Sequence, residues 1–335
     1  MYNHYRYGYT SNIIKKKKRE VINMIVESGM FVGRKPTWAG LGAGVEEAQS
    51  SEEAIRLAGL DWNVIPQSIR TETGIVLEGF QANIRDIDNK VLGITSDKYS
   101  IVQNAEAFSF TDEILKNSLG VKYETAGAVK GGKVVWLLAK MPEQLITDEK
   151  FEPYVLFANS HDGSLGVKVC MTPIRVACQN TLNLALKQAE RIWTCRHKGD
   201  IKSKMEEAKV AIFNASNYMN SLEMELGNLK MKKIDNDGFV KMLDNLVPMD
   251  ELKMSNRQLT NAKLIRNGIE RVYFEAPDLQ DIEKSAYHFV NAVSDFATHS
   301  EPLRKTPNYK ENIFLKTMNG NELIDKAYTI ARKVA

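Results

Sequence analysis

The stretch SHDGSLGVKVCMTPIRVACQNTLNLAL, Ser160 to Leu186, decides how the middle of this chain is read. Asp162-Gly163 signals a tight turn, because both residues tolerate the backbone angles that a hairpin demands. The run before it, EPYVLFA, and the run after it, LGVKVCM, become antiparallel partners with His161 and Asp162 at the tip. The outgoing run alternates: Val167, Val169 and Met171 face one side of a sheet, and Lys168, Cys170 and Thr172 the other. Beyond Pro173 the apolar parity changes, since Ile174 and Val176 follow. A bulge at Thr172-Pro173 accounts for the change, as proline cannot donate to a ladder. Such a bulge would bring Lys168 and Arg175 to the same solvent-facing side. Cys178-Gln179-Asn180 closes the strand, and Asn180 or Thr181 is placed to cap a helix running through NTLNLALKQAERIW.

Working outward, SSEEAIRLAGL reads as a helix capped by Ser50 or Ser51, with Glu53 in its first turn and Gly59 as its stop. Three strands follow in WNVIPQSI, GIVLEGFQANIRDI and VLGITSDKYSIV, the last two joined through Asp88-Asn89. NAEAFSFTDEILKNSLG is a second helix, from Asn104 to Gly120. VKYETAGAVK and KVVWLLAKM pair through Gly131-Gly132. Past Ile201 the pattern turns helical. Met205, Ala208, Ile212, Ala215, Met219, Leu222, Leu226 and Leu229 recur at alternating steps of three and four, a heptad stripe. It reads as the core face of a helix or, more sharply, as an oligomerisation helix. Further amphipathic helices lie between the breaks at Pro248, Pro277 and Pro302. The class is α+β: an antiparallel sheet with helices in the N-terminal two thirds, then an all-helical C-terminal region. The expected division is a basic extension over 1–29, an α+β domain over 30–200 and a helical region over 201–335.

The chain has 335 residues, 43% hydrophobic and 26% charged, which suits a packed core. Its longest apolar run, VVWLLA (Val134 to Ala139), is far too short to cross a bilayer. VINMIV, after the basic N-terminal cluster, is too brief for a secretory signal. Three cysteines at uneven spacing make no disulfide framework, so a reducing cytoplasm in a bacterial host is expected. The net charge of +3 conceals a polarised distribution: Gly163 to Lys204 carries eight basic and two acidic residues, and residues 1–23 carry six against one. The remainder is therefore acidic by eight charges. Such local excess bears on partners where the total does not.

Lys187, Arg191, Arg196 and Lys198 are interleaved with Trp193, and Lys168 and Arg175 lie just upstream. Cations that neutralise phosphates, with an aromatic that stacks a base, are the elements of a single-strand-binding surface. The bland reading is a solvated helix face with Trp193 in the core. His161, Asp162 and Asn180 are the competing candidates, as the centre of a hydrolase or nuclease. A Cys178–His161 nucleophile pair lacks a third, orienting group. Cys170, Cys178, Cys195 and His197 lack the paired spacing of a zinc site. GAVKGGKV nearly matches a phosphate-binding loop, but Val134 stands where Ser or Thr is needed. GLGAG, from Gly40 to Gly44, is out of register for a dinucleotide fingerprint. No catalytic residue, metal or cofactor is assigned.

LGITSDKYSIVQNAEAF, YETAGAVKGGKVVWLLAKMP, LFANSHDGS and TPIRVACQNTLNLAL together resemble the phage/plasmid-like proteins of unknown function carried by bacteriophages and mobile elements. The resemblance extends from about Met30 to Ala335, and Trp38-Ala39-Gly40 stands where members carry Trp-His-Gly. It implies a mobile-element setting and no particular activity. The helix–strands–helix order is also similar to the core of single-strand annealing proteins, which form rings and hold single-stranded DNA in a basic groove. The expectation is a cytoplasmic, homo-oligomeric binder of single-stranded DNA or RNA, acting in recombination or replication and away from membranes. Besides the nuclease, the alternative is a protein-interaction factor that counters host defence.

Overall fold

Ser50, in extended conformation, accepts a hydrogen bond from the Glu53 amide and so starts α1 (Ser51–Leu57); Gly59, at φ +65°, ends it, as the sequence leads one to expect. The computed structural model describes residues 38–109, 111–112, 120–175, 177, 179–184, 186, 191–199, 217–301 and 305–334. Two antiparallel sheets follow from the hairpin signals. The smaller has the order β2 (Val64–Arg70), β3 (Val76–Arg85), β4 (Lys90–Ser96). α2 (Asn104–Ser109) leads from it towards the larger sheet.

The larger sheet contains β1 (Ala43–Gly44), β5 (Lys122–Val129), β6 (Val134–Lys140), β7 (Gln144–Ile146), β8 (Glu149–Ser160), β9 (Val167–Arg175), β10 (Asn180–Thr181) and β11 (Ile192–Cys195). Its main path is β1-β5-β6-β8-β9-β10, with β7 also beside β8 and β11 also beside β9. The C-terminal part is helical: a helix described over 217–231 (α3), α4 (Asn236–Leu246), α5 (Asn256–Glu275), α6 (Pro277–Gln280), α7 (Ala286–His299), α8 (Tyr309–Asn319) and α9 (Glu322–Arg332). The α+β class is as the sequence indicates.

Both faces of the large sheet are covered, and this decides where its side chains go. Leu137, Phe157, Val169 and Met171 pack on one face with residues of α3, α4, α5, α7 and α9. Trp136, Leu138, Leu156, Cys170 and Ile174 pack on the other with Trp38 and with Phe314 and Met318 of α8. A strand covered on both sides reads as a nearly continuous apolar run, without the simple alternation of a half-solvated sheet.

The bulge expected at Thr172-Pro173 is not formed. β8 and β9 keep one register from Phe151↔Arg175 to Ala158↔Lys168, with Pro153 directly opposite Pro173. The Pro153 carbonyl accepts from Met141 and the Pro173 carbonyl from Leu182, so both residues turn their backbone polar groups away from each other. The missing N–H groups then point to places where the flanking ladders are interrupted, β6/β7 on one side and β10/β11 on the other. Neither proline removes a ladder bond. Without a bulge, Lys168 and Arg175 lie on opposite faces, which overturns the shared solvent-facing placement.

The helix expected from Asn180 is absent over the described residues. Asn180 and Thr181 pair with Arg175 and Ile174 as β10, and Ile192 to Cys195 pair with Cys170 to Val167 as β11. Thr181, Leu182, Asn183 and Leu184 are all buried, a demand that a one-sided helical stripe cannot meet. Helices of the C-terminal region satisfy their backbone instead: Ser294 Oγ donates to the Thr181 carbonyl and Tyr218 Oη to that of Leu184 (2.9 Å). Tertiary contacts have overridden local propensity.

The heptad stripe is internal where it is described. Met219, Leu222, Leu226 and Leu229 are buried in the same cluster as the sheet, so this half is core and not an oligomerisation seam. Met205, Ala208, Ile212 and Ala215 lie outside the described residues.

Candidate nucleic-acid interface

The sequence candidates are scattered by the fold. Lys168 is 9% exposed and donates to Asn319 Oδ1 at 2.6 Å, beneath the end of α8. Burial also lowers its pKa. Arg175 is 2% exposed; it pairs with Glu149 and, at 2.5 Å, with Asp278 of α6. Lys230 of α3 reaches the same Glu149 at 3.1 Å. This buried ionic clamp ties the sheet to the helical region, and neither Lys168 nor Arg175 is available to a nucleic acid. Arg191 is half-buried, with Nη1 donating to Cys170 Sγ and the Met171 carbonyl. Trp193 is half-buried against the main core, as the bland reading has it. Lys187 and Cys178 lie outside the described residues. Arg196 and Lys198 are exposed, on an irregular segment after β11 rather than on a helix.

His161, Asp162 and Asn180 do not converge. His161 follows β8 at one end of β9, whereas Asn180 pairs with Arg175 at the other end. The Asp162 carboxylate accepts from the Ser164 amide at 2.9 Å, which is turn chemistry. His161 is at the hairpin tip as expected, yet only 1% exposed, because the small sheet lies over it. Its Nε2 meets Asn104 Oδ1 at 2.8 Å. The Asn104 amide nitrogen donates to the Leu60 carbonyl, leaving Oδ1 as acceptor and placing the imidazole proton on Nε2. Nδ1 is buried without a hydrogen-bond partner among the described residues. Burial, and secondarily the nearby His197, push the His161 pKa down to about 4. The ring is a neutral packing element, also set edge-on to Trp62. Of the residues weighed and set aside as zinc ligands, Cys170 and Cys195 sit on opposite faces of the sheet.

The same end of the molecule gathers cations from several loops. His161 N donates to the Lys133 carbonyl at 2.8 Å, joining the β5–β6 turn to the β8–β9 turn. Tyr99 Oη donates to the Ser160 carbonyl, and the Tyr99 ring stacks on His197 at 4.7 Å. The Ser100 amide donates to the His197 carbonyl, so the segment after β4 and the segment after β11 are laced together. In the β5–β6 turn, Gly131 and Gly132 have φ of +68° and +99°, and added Cβ atoms would fall 2.6 Å from Lys90 Nζ and 2.7 Å from Arg85 Nη1. The positive φ angles favour glycine at both positions.

The outcome is a rim formed by Lys90, Lys98, Lys130, Lys133, Arg196 and Lys198; all are exposed except the half-buried Lys133. None of Lys90, Lys98, Lys130, Lys133 and Arg196 is in an ion pair among the described residues. Acids lie nearby as well: Asp88 is paired with Arg85, Asp162 and Glu311 accept from the backbone amides of Ser164 and Lys130 and keep their charge, and Asp97 is exposed. Sequence reasoning caught Arg196 and Lys198 but missed the four lysines. The available signal was that Lys90, Lys130 and Lys133 flank or adjoin the recognised turns Asp88-Asn89 and Gly131-Gly132; Lys98 lay in a stretch read as strand.

These features define a two-sheet α+β protein in which a basic rim surrounds a buried amide–imidazole cluster. The chain belongs to the family described as Domain of unknown function (DUF932), whose model matches residues 91–317, from β4 into α8. No curated protein and no solved structure matches it.

Proposed function

We propose that this protein binds single-stranded nucleic acid along the rim, in the recombination or replication of a phage or other mobile element. One observation carries the reading: five cations from four separate segments gather at one end of the large sheet without ion-pair partners among the described residues. Crowded like charges repel, and a phosphate backbone relieves that repulsion while releasing its own counterions. The mobile-element setting rests on the resemblance of the Ser160–Leu186 motif and its neighbours. A hydrolase centred on His161, Asp162 and Asn180 has less support, because His161 is sealed from solvent and Asn180 lies at the far end of β9.

Fluorescence anisotropy with a labelled single-stranded oligonucleotide tests the proposal. If about five phosphates are neutralised, log K should fall against log salt with a slope of roughly −3.5. Lys98→Glu, Lys130→Glu and Arg196→Glu should each weaken binding and flatten the slope, whereas Lys168→Met should leave it unchanged. An absence of binding at low salt would remove this reading.

A further inference from the structure

The three-stranded sheet turns much of its apolar surface outward. Paired residues share a face, so the registers Ile65↔Ile84↔Val91, Ala82↔Ile94 and Phe80↔Ser96 assign one face, and Asn83↔Gly93 and Gln81↔Thr95 assign the other. The face turned towards the rest of the molecule gives Val64 and Leu92 to the core but is otherwise polar. Asn83 is fully buried and donates to the His161 carbonyl at 2.7 Å; Gln81 reaches the Tyr99 carbonyl and Thr95 meets Asn83. The face turned outward is largely apolar and carries no charge at those paired positions: Ile65 is 47% exposed, Phe80 50%, Val91 53% and Ile94 61%, Ile84 at its centre is 7% exposed, and Gln67 and Ser96 are its polar members. An antiparallel sheet with one solvated face ordinarily shows the reverse, and the register cannot slip by one residue without burying that apolar set and expelling Asn83.

We infer that this outer face is the interface between two copies of the chain. A face without charge is compatible with itself across a two-fold axis, since no like charges are brought together. The same unit also exposes Ile75 (66%), Leu77 (45%) and Ile87 (68%). Burying these together with the four residues of the face would approach the ~800 Å² per partner of a standard interface. Two such sheets would stack face to face about 10 Å apart, as in a β-sandwich, giving each apolar face the second layer that it lacks. A nucleic acid would find no cation on this face, so the interface and the basic rim are separate surfaces.

The test reads mass alone, without nucleic acid, and is therefore independent of the binding proposal. Sedimentation equilibrium of the full chain under reducing conditions, over about a hundredfold concentration range, should fit a monomer–dimer equilibrium. The double variant Phe80→Ser/Ile94→Ser should be monomeric over that range, with an unchanged far-ultraviolet circular dichroism spectrum. If that variant fails to fold, Val91→Thr/Ile94→Thr, which keeps β-branched side chains on the strand, should fold and weaken dimerisation at least tenfold. A wild-type protein that stays monomeric at every concentration overturns the inference, and so does a dimer whose stability neither variant alters.

Discussion

His161 is held by one amide oxygen on Nε2 and by nothing polar on Nδ1 among the described residues, so it is built to be neutral. Its folded-state pKa of about 4 lies below the unfolded value of 6.5, and between those limits the unfolded chain binds the extra proton more readily. Stability is therefore fully present above pH 6.5 and falls as pH is lowered towards about 4, by the order of 3 kcal/mol from this residue. His161→Gln keeps a donor towards Asn104 and should flatten the pH dependence of urea unfolding in that window. The slope that remains belongs to groups including His197 and His288, both also lowered by burial. The two buried cations should differ in turn. Arg175→Met strands Glu149 and Asp278 and should cost about 3–5 kcal/mol in denaturant unfolding, somewhat less where Lys230 compensates. Lys168→Met removes a charge whose side-chain partner among the described residues is the amide of Asn319, and should change stability by no more than about 1 kcal/mol.

At the scale of elements, the small sheet is seated on the large one through close backbone contact. Gly93 in β4 leaves no room for a side chain: an added Cβ would lie 2.5 Å from the Asp162 Cα. Gly93→Ala should force the sheets apart and cost about 1–3 kcal/mol, measurable as a lower urea midpoint with the slope retained. Turns and caps were legible because their chemistry is local: Ser50 with Glu53, Asp88-Asn89, Gly131-Gly132 and Asp162-Gly163 each act within four residues. The segment after Arg175 was not legible. Asn180 and Thr181 carry good capping side chains, but Ser294, Thr298 and Tyr218, over 30 residues away in sequence, bind that backbone as extended chain.

At the scale of the molecule, one apolar cluster includes Val135, Phe157 and Val169 of the sheet together with Leu222, Val272, Phe289 and Ala327 of the helices. The Arg175 clamp reinforces the same junction. Thermal unfolding should accordingly be a single transition, with calorimetric and van't Hoff enthalpies that agree. Two resolved transitions would mean that the sheet and helical regions unfold as separate bodies.

Read by itself, the sequence determined the α+β class, the positions of the hairpins and several helix caps, because each depends on neighbours along the chain. It also located the charge excess around residues 163–204. The tertiary structure alone decided which of those charges reach solvent. A strand has two faces, and its own pattern distinguishes them only when one is wet; β9 is packed on both, so Lys168 and Arg175 read as surface residues and are interior ones. In the small sheet Ile65, Phe80, Val91 and Ile94 lie on the open face, while Asn83 and Gln81 turn inward to His161 and Tyr99. That choice is made by long-range hydrogen bonds to the large sheet, which local alternation in β3 and β4 cannot report.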